Sequence, residues 1–388
     1  MLPTLKDLGN SGRYKIILVS LEKWTMSSVL ESINPIDFNV IILPRKHDTA
    51  THYRNTPDLF TEIICSIELI KTALSQFITT ETIFINHSIP SKISFGINSI
   101  IESFFLNIRA RIYVQKHLLS DYGFWKQSES LFYLFLRITY NVLKSLSTPR
   151  NSFLFFKSFL IYLNCNFFKK SKNFICVFND QEYLKMVKHF RKSQVFLIKN
   201  SYVEEICSSN FIPTELKSIV FLTTGSFKYR DSETNLLQLK YIWELIEFCS
   251  QNMLEFYVKV KEGELTNFQQ YFESLDTLAV NVISGGGFSL GNIPQNSVVI
   301  VPIESSTLFE SMIFKFPTFF YENSGDFKKI VFDSDLPLDE MSIDHLKNSL
   351  TNKEFKLDAV KLEFLQKKST ELITSNSSLT LARFISNL

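Results

Sequence analysis

The sequence predicts an α/β protein of two domains, each a parallel sheet with helices on its faces. Three observations carry that expectation. Short β-branched or apolar runs alternate with segments of about ten or more residues at helical spacing, the rhythm of parallel strands joined by helical crossovers. The chain is 388 residues long, more than a single core ordinarily serves. The rhythm breaks over residues 130–179, resumes at Phe174–Ile198, and is divided by a polar connection over Ser201–Pro213 from a second α/β run that starts at Ser218.

In the first half, Tyr14–Ser20 and Asn39–Pro44 are short apolar runs, the first followed by helical material to about Ile33. Leu59 to Phe77 places Ile63, Ile64, Ile67, Ile70 and Leu74 along one side of a helix. Thr82–Asn86 is a third strand, Ser94 to Leu106 a further helix and Ala110–Gln115 a fourth strand. The winding is Rossmann-like, yet no G-x-G-x-x-G follows Val19, so the dinucleotide fingerprint is missing.

Residues 130–179 are aromatic and apolar, with Arg137, Lys144, Arg150, Lys157, Lys169, Lys170 and Lys172 and no acidic residue. No uncharged run there reaches the roughly 18–20 residues of a membrane span. Basic, aromatic helices suit the plane of an anionic membrane surface. An interdomain helical hairpin with its Phe residues in a core fits the same segment.

Strand character returns at Phe174–Asn179, a helix at Gln181–Phe190 and a strand at Gln194–Ile198. Ser201 to Pro213 is polar and reads as the connection between domains. The second half opens with Ser218–Ser226, a buried strand running into a Thr-Thr-Gly-Ser turn. A helix over Tyr229–Gln251 is expected to use Leu236, Leu239, Ile242, Trp243 and Ile246; Glu255–Lys261 is then a strand. Phe268–Leu275 is helical, Val280–Ile283 a strand and Ser284–Phe288 a glycine-rich turn. Thr318–Tyr321 is a strand followed by a loop over 322–326, and helices are expected at Asp344–Leu350, Asp358–Leu372 and Leu379–Leu388. The expected domains are 1–205, holding 130–179 as a helical aromatic and basic insertion, and 206–375; the tail 376–388 is a helix placed to cross back and brace the first domain.

The most informative stretch is Val298 to Pro317. A β-branched run, Val298–Val301, ends at Pro302, turns through Glu304-Ser305-Ser306-Thr307, and continues with Leu308, Phe309, Met312, Ile313 and Phe316 at helical spacing. A helix start has unpaired N–H groups and the positive end of the macrodipole, and hydroxyls add donors. Ser305, Ser306 and Thr307 therefore suit a phosphate, with Glu310 one turn on. The same residues also suit a plain helix cap with a supporting carboxylate. Two further loops end strands of this half: Thr223-Thr224-Gly225-Ser226, and Lys259 to Gly263, where Lys259 and Lys261 share a strand face and could offset anionic charge. The three loops converge if their strands are neighbours.

Composition excludes some classes. With 41 basic and 39 acidic residues and a formal charge of +2, no global field selects nucleic acid. The 5 cysteines are scattered and never form CxxC, against both zinc and a disulfide framework, and in keeping with a reducing compartment. Met1 to Arg13 is polar and turn-like rather than a secretory signal, so a cytoplasmic protein is expected, peripheral on the membrane's inner face if 130–179 binds it.

The order from the Thr-Gly-Ser turn through the long helix, Phe256-Tyr-Val-Lys-Val-Lys261, a glycine-rich turn and Val298-Val-Ile-Val-Pro-Ile-Glu-Ser-Ser-Thr-Leu-Phe-Glu-Ser311 resembles the C-terminal half of GT-B glycosyltransferases. The likeness covers about Ser218 to Pro337 and is nearest to bacterial enzymes that build capsule and lipopolysaccharide, of sialyl-, polysialyl- and Kdo-transferase type. It implies two Rossmann-like domains facing a cleft, with Ser305, Ser306 and Thr307 as ligands of the donor phosphate and Glu310 beside them. Lys259-Val-Lys261-Glu262 stands where those families often carry Lys-x-His-Pro, so a cation replaces a neutral imidazole. In the first domain, Tyr113-Val-Gln-Lys-His117 is similar to a strand–Gln-His-Gly element, with Lys116 intervening and no glycine after His117.

The implied activity is inverting, metal-independent transfer from a nucleotide sugar to a bacterial glycan or lipid-linked acceptor. CMP-activated sialic acid or Kdo is the first donor expected and a UDP-sugar the second. Direct displacement needs a base for the acceptor hydroxyl; His117 is the first candidate, Asp121 the second and His87 a third. His47, Asp48 and His52 lack a metal-ligand spacing and no D-x-D ends a strand of the first domain, so no metal or cofactor is expected. Two rival readings are a UDP-sugar 2-epimerase of the same fold, and a non-catalytic polysaccharide-assembly subunit that docks a partner through 130–179.

Overall fold

The computed structural model describes residues 7–20, 39–42, 74–86, 108–115, 173–207, 215–224, 227, 232–260, 265–272, 280–283, 290–303, 305, 307–321 and 336–388. The helices expected up to Ile33 and over Ser94–Leu106, most of the 130–179 segment, and the turns at 284–288 and 322–326 lie outside the described residues. The chain divides into two compact units. One comprises Met1–Met26, Ile33–Lys199 and Ser375–Leu388; the other comprises Ser27–Ser32 and Asn200–Thr374.

In the first unit, β1 (Ile17–Ser20) and β2 (Asn39–Ile42) pair in parallel. A second sheet runs β3 (Ile83–Asn86), β4 (Ala110–Val114), β5 (Asn173–Val177) and β6 (Val195–Leu197), in that order and all parallel. β4 is buried throughout, as expected of a parallel strand covered on both faces. Helix α1 (Asp180–His189) connects β5 to β6; the Asn179 side chain accepts from the Glu182 N–H and caps it. Met186 on α1 packs with Tyr113, Ile175, Val177 and Val195. A separate cluster unites Ile112, Val114, Cys176 and Ile198 with Leu381, Phe384 and Ile385 of the last helix, α8 (Leu381–Ser386). The Phe384 ring meets Phe174 edge-on at 5.6 Å and Phe196 at 4.6 Å. Backbone ties hold the tail there: the Lys199 N–H donates to the Leu379 carbonyl at 2.8 Å, and Ser377 Oγ to the Leu197 carbonyl at 2.8 Å.

The second unit starts with α2 (Ser201–Cys207), where the polar sequence reads as a connection. Val203 and Ile206, three residues apart, are buried, and two apolar residues on one face suffice once α5 and α7, described below, cover them. The unit's sheet contains β7 (Ser218–Leu222), β8 (Glu255–Lys259), β9 (Val280–Ile283), β10 (Ser297–Pro302) and β11 (Thr318–Tyr321). All are parallel, in the order β11-β10-β7-β8-β9. Counted within the unit this is 5-4-1-2-3, a doubly wound sheet that reverses direction between β7 and β10.

Helices α3 (Ser232–Gln251), α4 (Leu265–Phe272) and α5 (Thr307–Ile313) lie between the paired strands in sequence, followed by α6 (Ile343–Thr351) and α7 (Ala359–Ile373). One core joins alternate residues of β7, β8 and β10 (Ile219, Phe221, Phe256, Val258, Val298, Ile300) to Ile242, Leu245 and Cys249 of α3 and Leu346 of α6. The buried face of α3 overlaps the expected one, with Ile242 and Ile246 buried and Leu239 packed against the same core, and is turned only in part. Leu236 and Trp243 are exposed, while Asn235, Gln238, Ile242, Leu245 and Cys249 face inward. The polar members of that stripe hid it from a search for apolar spacing. Helix α5 packs against β10, β11 and α7, with Gln366 Nε2 of α7 donating to the Ile313 carbonyl at 2.8 Å. α5 ends at Lys315, whose φ of 60° lies in the left-handed region. The Phe316 N–H returns to the Ser311 carbonyl and the Lys315 N–H to that of Met312, both at 3.0 Å, a Schellman closure.

Candidate functional site

The switch point of the second sheet locates the site. Register pairs Val220 with Val299 and Phe221 with Ile300, while Leu222 pairs with Lys259. The chain therefore leaves β7 at Thr223, β8 at Val260 and β10 at Ile303 along one sheet edge. Crevices for ligands in open α/β sheets form at this carboxyl edge, where the winding reverses.

At β10 the turn is tight. The Ser305 N–H donates to the Pro302 carbonyl and the Leu308 N–H to the Ser305 carbonyl, both at 3.0 Å. Ser305 Oγ accepts the Thr307 N–H at 3.3 Å and hydrogen-bonds Thr307 Oγ1. Ser305 thus acts as a cap. Two hydroxyls carry two O–H donors, and their mutual bond consumes one; among the described residues the other is uncommitted. Ser305 and Thr307 are half-buried, whereas every residue from Leu308 to Ile313 is buried. The helix start meets solvent on a rigid support.

The turn after β7 is held from beneath. The Thr223 N–H donates to the Lys259 carbonyl at 3.1 Å. The Thr224 N–H donates to Gln238 Oε1 at 2.9 Å, and Gln238 Nε2 donates to Thr224 Oγ1 at 3.0 Å. Tyr321 Oη donates towards the Leu222 carbonyl at 3.0 Å and Gln238 Oε1 at 3.2 Å. The Tyr321 ring stacks on Phe221 at 4.6 Å. Gln238 is 0% exposed. Neither Gln238 nor Tyr321 was singled out from the sequence; the available signal was a glutamine one turn before Ile242, in line with the apolar residues of that helix face.

Lys259 and Glu310 form the charged layer. Lys259 is 7% exposed and Glu310 4%, so neither is a solvated surface charge. Burial pushes the Lys259 ammonium below its ordinary pKa, and the negative charge of Glu310 opposes that shift. Both are buried, Glu310 in the first turn of α5 and Lys259 at the end of β8, and the charge of Glu310 reaches Lys259. Ser306, Gly225, Ser226 and Lys261 lie outside the described residues, as do His117, Asp121 and His87. Of the candidates from the sequence, the structure brings Thr224, Lys259, Ser305, Thr307 and Glu310 to the ends of three adjacent strands. Among the described residues no group of three His, Cys, Asp or Glu is arranged to hold a metal, and no helix is long and apolar enough to cross a membrane.

No family model matches the chain, and no curated protein matches it. Among solved structures, Arabidopsis thaliana UGT89C1 complexed with UDP-L-rhamnose superposes with a TM-score of 0.52 at 12% identity, over 99% of this chain and 94% of that one. UGT89C1 complexed with UDP gives 0.51 at 11%, over 100% and 95%. WaaG, a glycosyltransferase involved in lipopolysaccharide biosynthesis, gives 0.46 at 10%, over 99% and 93%. The UGT89C1 likeness is one of fold: the chain is α/β, with two parallel-sheet units, of the GT-B class that the sequence resemblance implied.

Proposed function

We propose that the protein is a glycosyltransferase whose second unit binds a nucleotide-sugar donor. The observation that carries this reading is the adjacency of β7 and β10, which sets the Thr223–Thr224 turn and the Ser305–Thr307 helix start side by side at the switch point. A helix start that carries two hydroxyls, Ser305 and Thr307, suits a phosphate. The GT-B fold supports the transfer class, and the UDP and UDP-L-rhamnose named in the UGT89C1 complexes favour a uridine donor over the CMP-sugar expected first.

In this reading the donor phosphate sits at Ser305, Ser306 and Thr307, next to Thr224, Gly225 and Ser226. Lys261 supplies the countercharge, with Lys259 balanced against Glu310 behind it. The acceptor hydroxyl oxygen attacks the anomeric carbon as the bond from that carbon to the phosphate oxygen breaks. The electron pair leaves with the nucleotide, and the hydroxyl proton passes to His117, with Asp121 and His87 as the other candidate bases. Attack opposite the departing phosphate inverts the anomeric centre. The acceptor proposed is a bacterial cell-surface glycan or lipid-linked saccharide, presented at an anionic membrane surface that 130–179 contacts.

The test is a panel of UDP-, CMP- and GDP-sugars incubated with and without saccharide acceptors. Nucleotide release that depends on acceptor, with sugar appearing on it, is expected from one donor class. Epimerised or hydrolysed donor independent of any acceptor would overturn transfer in favour of epimerisation. Release from no donor would leave the assembly-subunit reading.

A further inference from the structure

We infer that Gln238 is a positioning residue for the donor: it sets the Thr223–Thr224 turn through a buried relay anchored by Tyr321. The inference rests on the donor-binding reading above and extends it to a residue that meets no substrate. A glutamine with no exposed surface in the middle of a helix is costly to bury unless its amide is fully used. Its two ends do different work. Oε1 accepts the Thr224 N–H at 2.9 Å and the Tyr321 hydroxyl at 3.2 Å, while Nε2 donates to Thr224 Oγ1 at 3.0 Å and towards the Thr234 carbonyl at 3.4 Å. The amide therefore orients both the backbone and the side chain of Thr224, the second residue beyond β7.

The anchor comes from elsewhere in the sheet. Tyr321 ends β11, two strands from β7, and its hydroxyl also reaches the Leu222 carbonyl at 3.0 Å. Its ring is held by Phe221 at 4.6 Å and by Tyr241 at 5.4 Å. Three elements, β7, the α3 that follows it and the distant β11, thus converge on one peptide at the switch point. A core that needed only cohesion would place leucine at 238, in line with Ile242 and Leu245. The relay instead holds the Thr224 hydroxyl in one orientation at the edge where the β10 turn presents its own. A preorganised phosphate site needs its donors fixed from behind in this way, and Gln238 with Tyr321 does so for Thr224.

The experiment compares wild type, Gln238→Met, Tyr321→Phe and a matched stability control, Leu346→Ala, whose side chain packs in the same core as Phe221 and Tyr321 but makes no hydrogen bond to the relay. Amide exchange and the ¹H–¹⁵N resonance of Thr224 are followed without ligand and with UDP or CMP, and each Kd is measured by calorimetry. Gln238→Met should speed Thr224 exchange beyond the control, abolish the nucleotide-induced shift of that resonance, and weaken nucleotide binding about tenfold or more, the loss of one well-used hydrogen bond. Tyr321→Phe should fall between Gln238→Met and wild type. Wild-type affinity in Gln238→Met, or equal weakening in Leu346→Ala, would overturn the inference. Should wild type bind neither nucleotide, the donor reading falls and the positioning role with it, while Thr224 exchange still reports whether Gln238 holds the turn.

Discussion

Lys259 and Glu310 offer the sharpest perturbation of the charged layer. Lys259→Met removes the ammonium that offsets a carboxylate only 4% exposed. Breaking one side of a buried pair costs about 3–5 kcal/mol, because a charge stays in a poor solvent, whereas replacing both sides is often neutral. Against a total stability of about 5–15 kcal/mol, that is a large share. At a urea slope of about 1–3 kcal/mol per molar, the midpoint of the second unit's transition should fall by 1 M or more. Lys259→Met with Glu310→Gln should recover most of the loss, a strongly non-additive cycle. The pH dependence has a definite sign. Since burial lowers the Lys259 pKa from 10.5, the unfolded chain holds the proton longer, and stability rises with pH through the window below 10.5. Wild type should therefore gain on Lys259→Met as pH climbs through that window. Additive single losses, or two singles each costing under about 1 kcal/mol, would refute the coupled buried pair.

Three further outcomes are expected. Lys315→Gly should stabilise the protein by about 0.5–1 kcal/mol in thermal unfolding, because glycine adopts the left-handed turn after α5 without strain. Phe384→Ala should cost about 3–5 kcal/mol, since the ring joins α8 to Phe174 and Phe196; a loss under 1 kcal/mol would mean the tail adds little to that core. Burial pushes the Cys249 thiol up to about 12 and the Cys176 thiol higher still. Peptide mapping after maleimide treatment at pH 8 should find both unmodified in native protein and modified in urea.

The strands were legible because each is a compact β-branched run: Val298 to Val301 needs no partner to be recognised. Their neighbours were not. The convergence of the Thr223, Lys259 and Ser305 turns depended on β7 lying between β10 and β8, a property of pairings 37 and 79 residues apart. The same non-locality hid the burial of Lys259, which the sequence offered only as a strand-end countercharge. A lysine ending a strand reads as solvated until α5 lays Glu310 near it. Gln238 was missed for a different reason: apolar periodicity is blind to a polar residue whose partners, Thr224 and Tyr321, come from other elements. α2 was missed because Ser201 and Glu204 look like a linker, while Val203 and Ile206 are buried.

The central claim is that the Ser305–Thr307 helix start holds a nucleotide phosphate. Thermal unfolding with CMP, UDP and GDP, on wild type and on Ser305→Ala with Ser306→Ala, tests it most directly. The account predicts that one nucleotide stabilises wild type, by about 2.7 kcal/mol at a hundredfold excess over its Kd, and that the double variant loses the shift. No stabilisation by any of the three, or an undiminished shift in the variant, would contradict it.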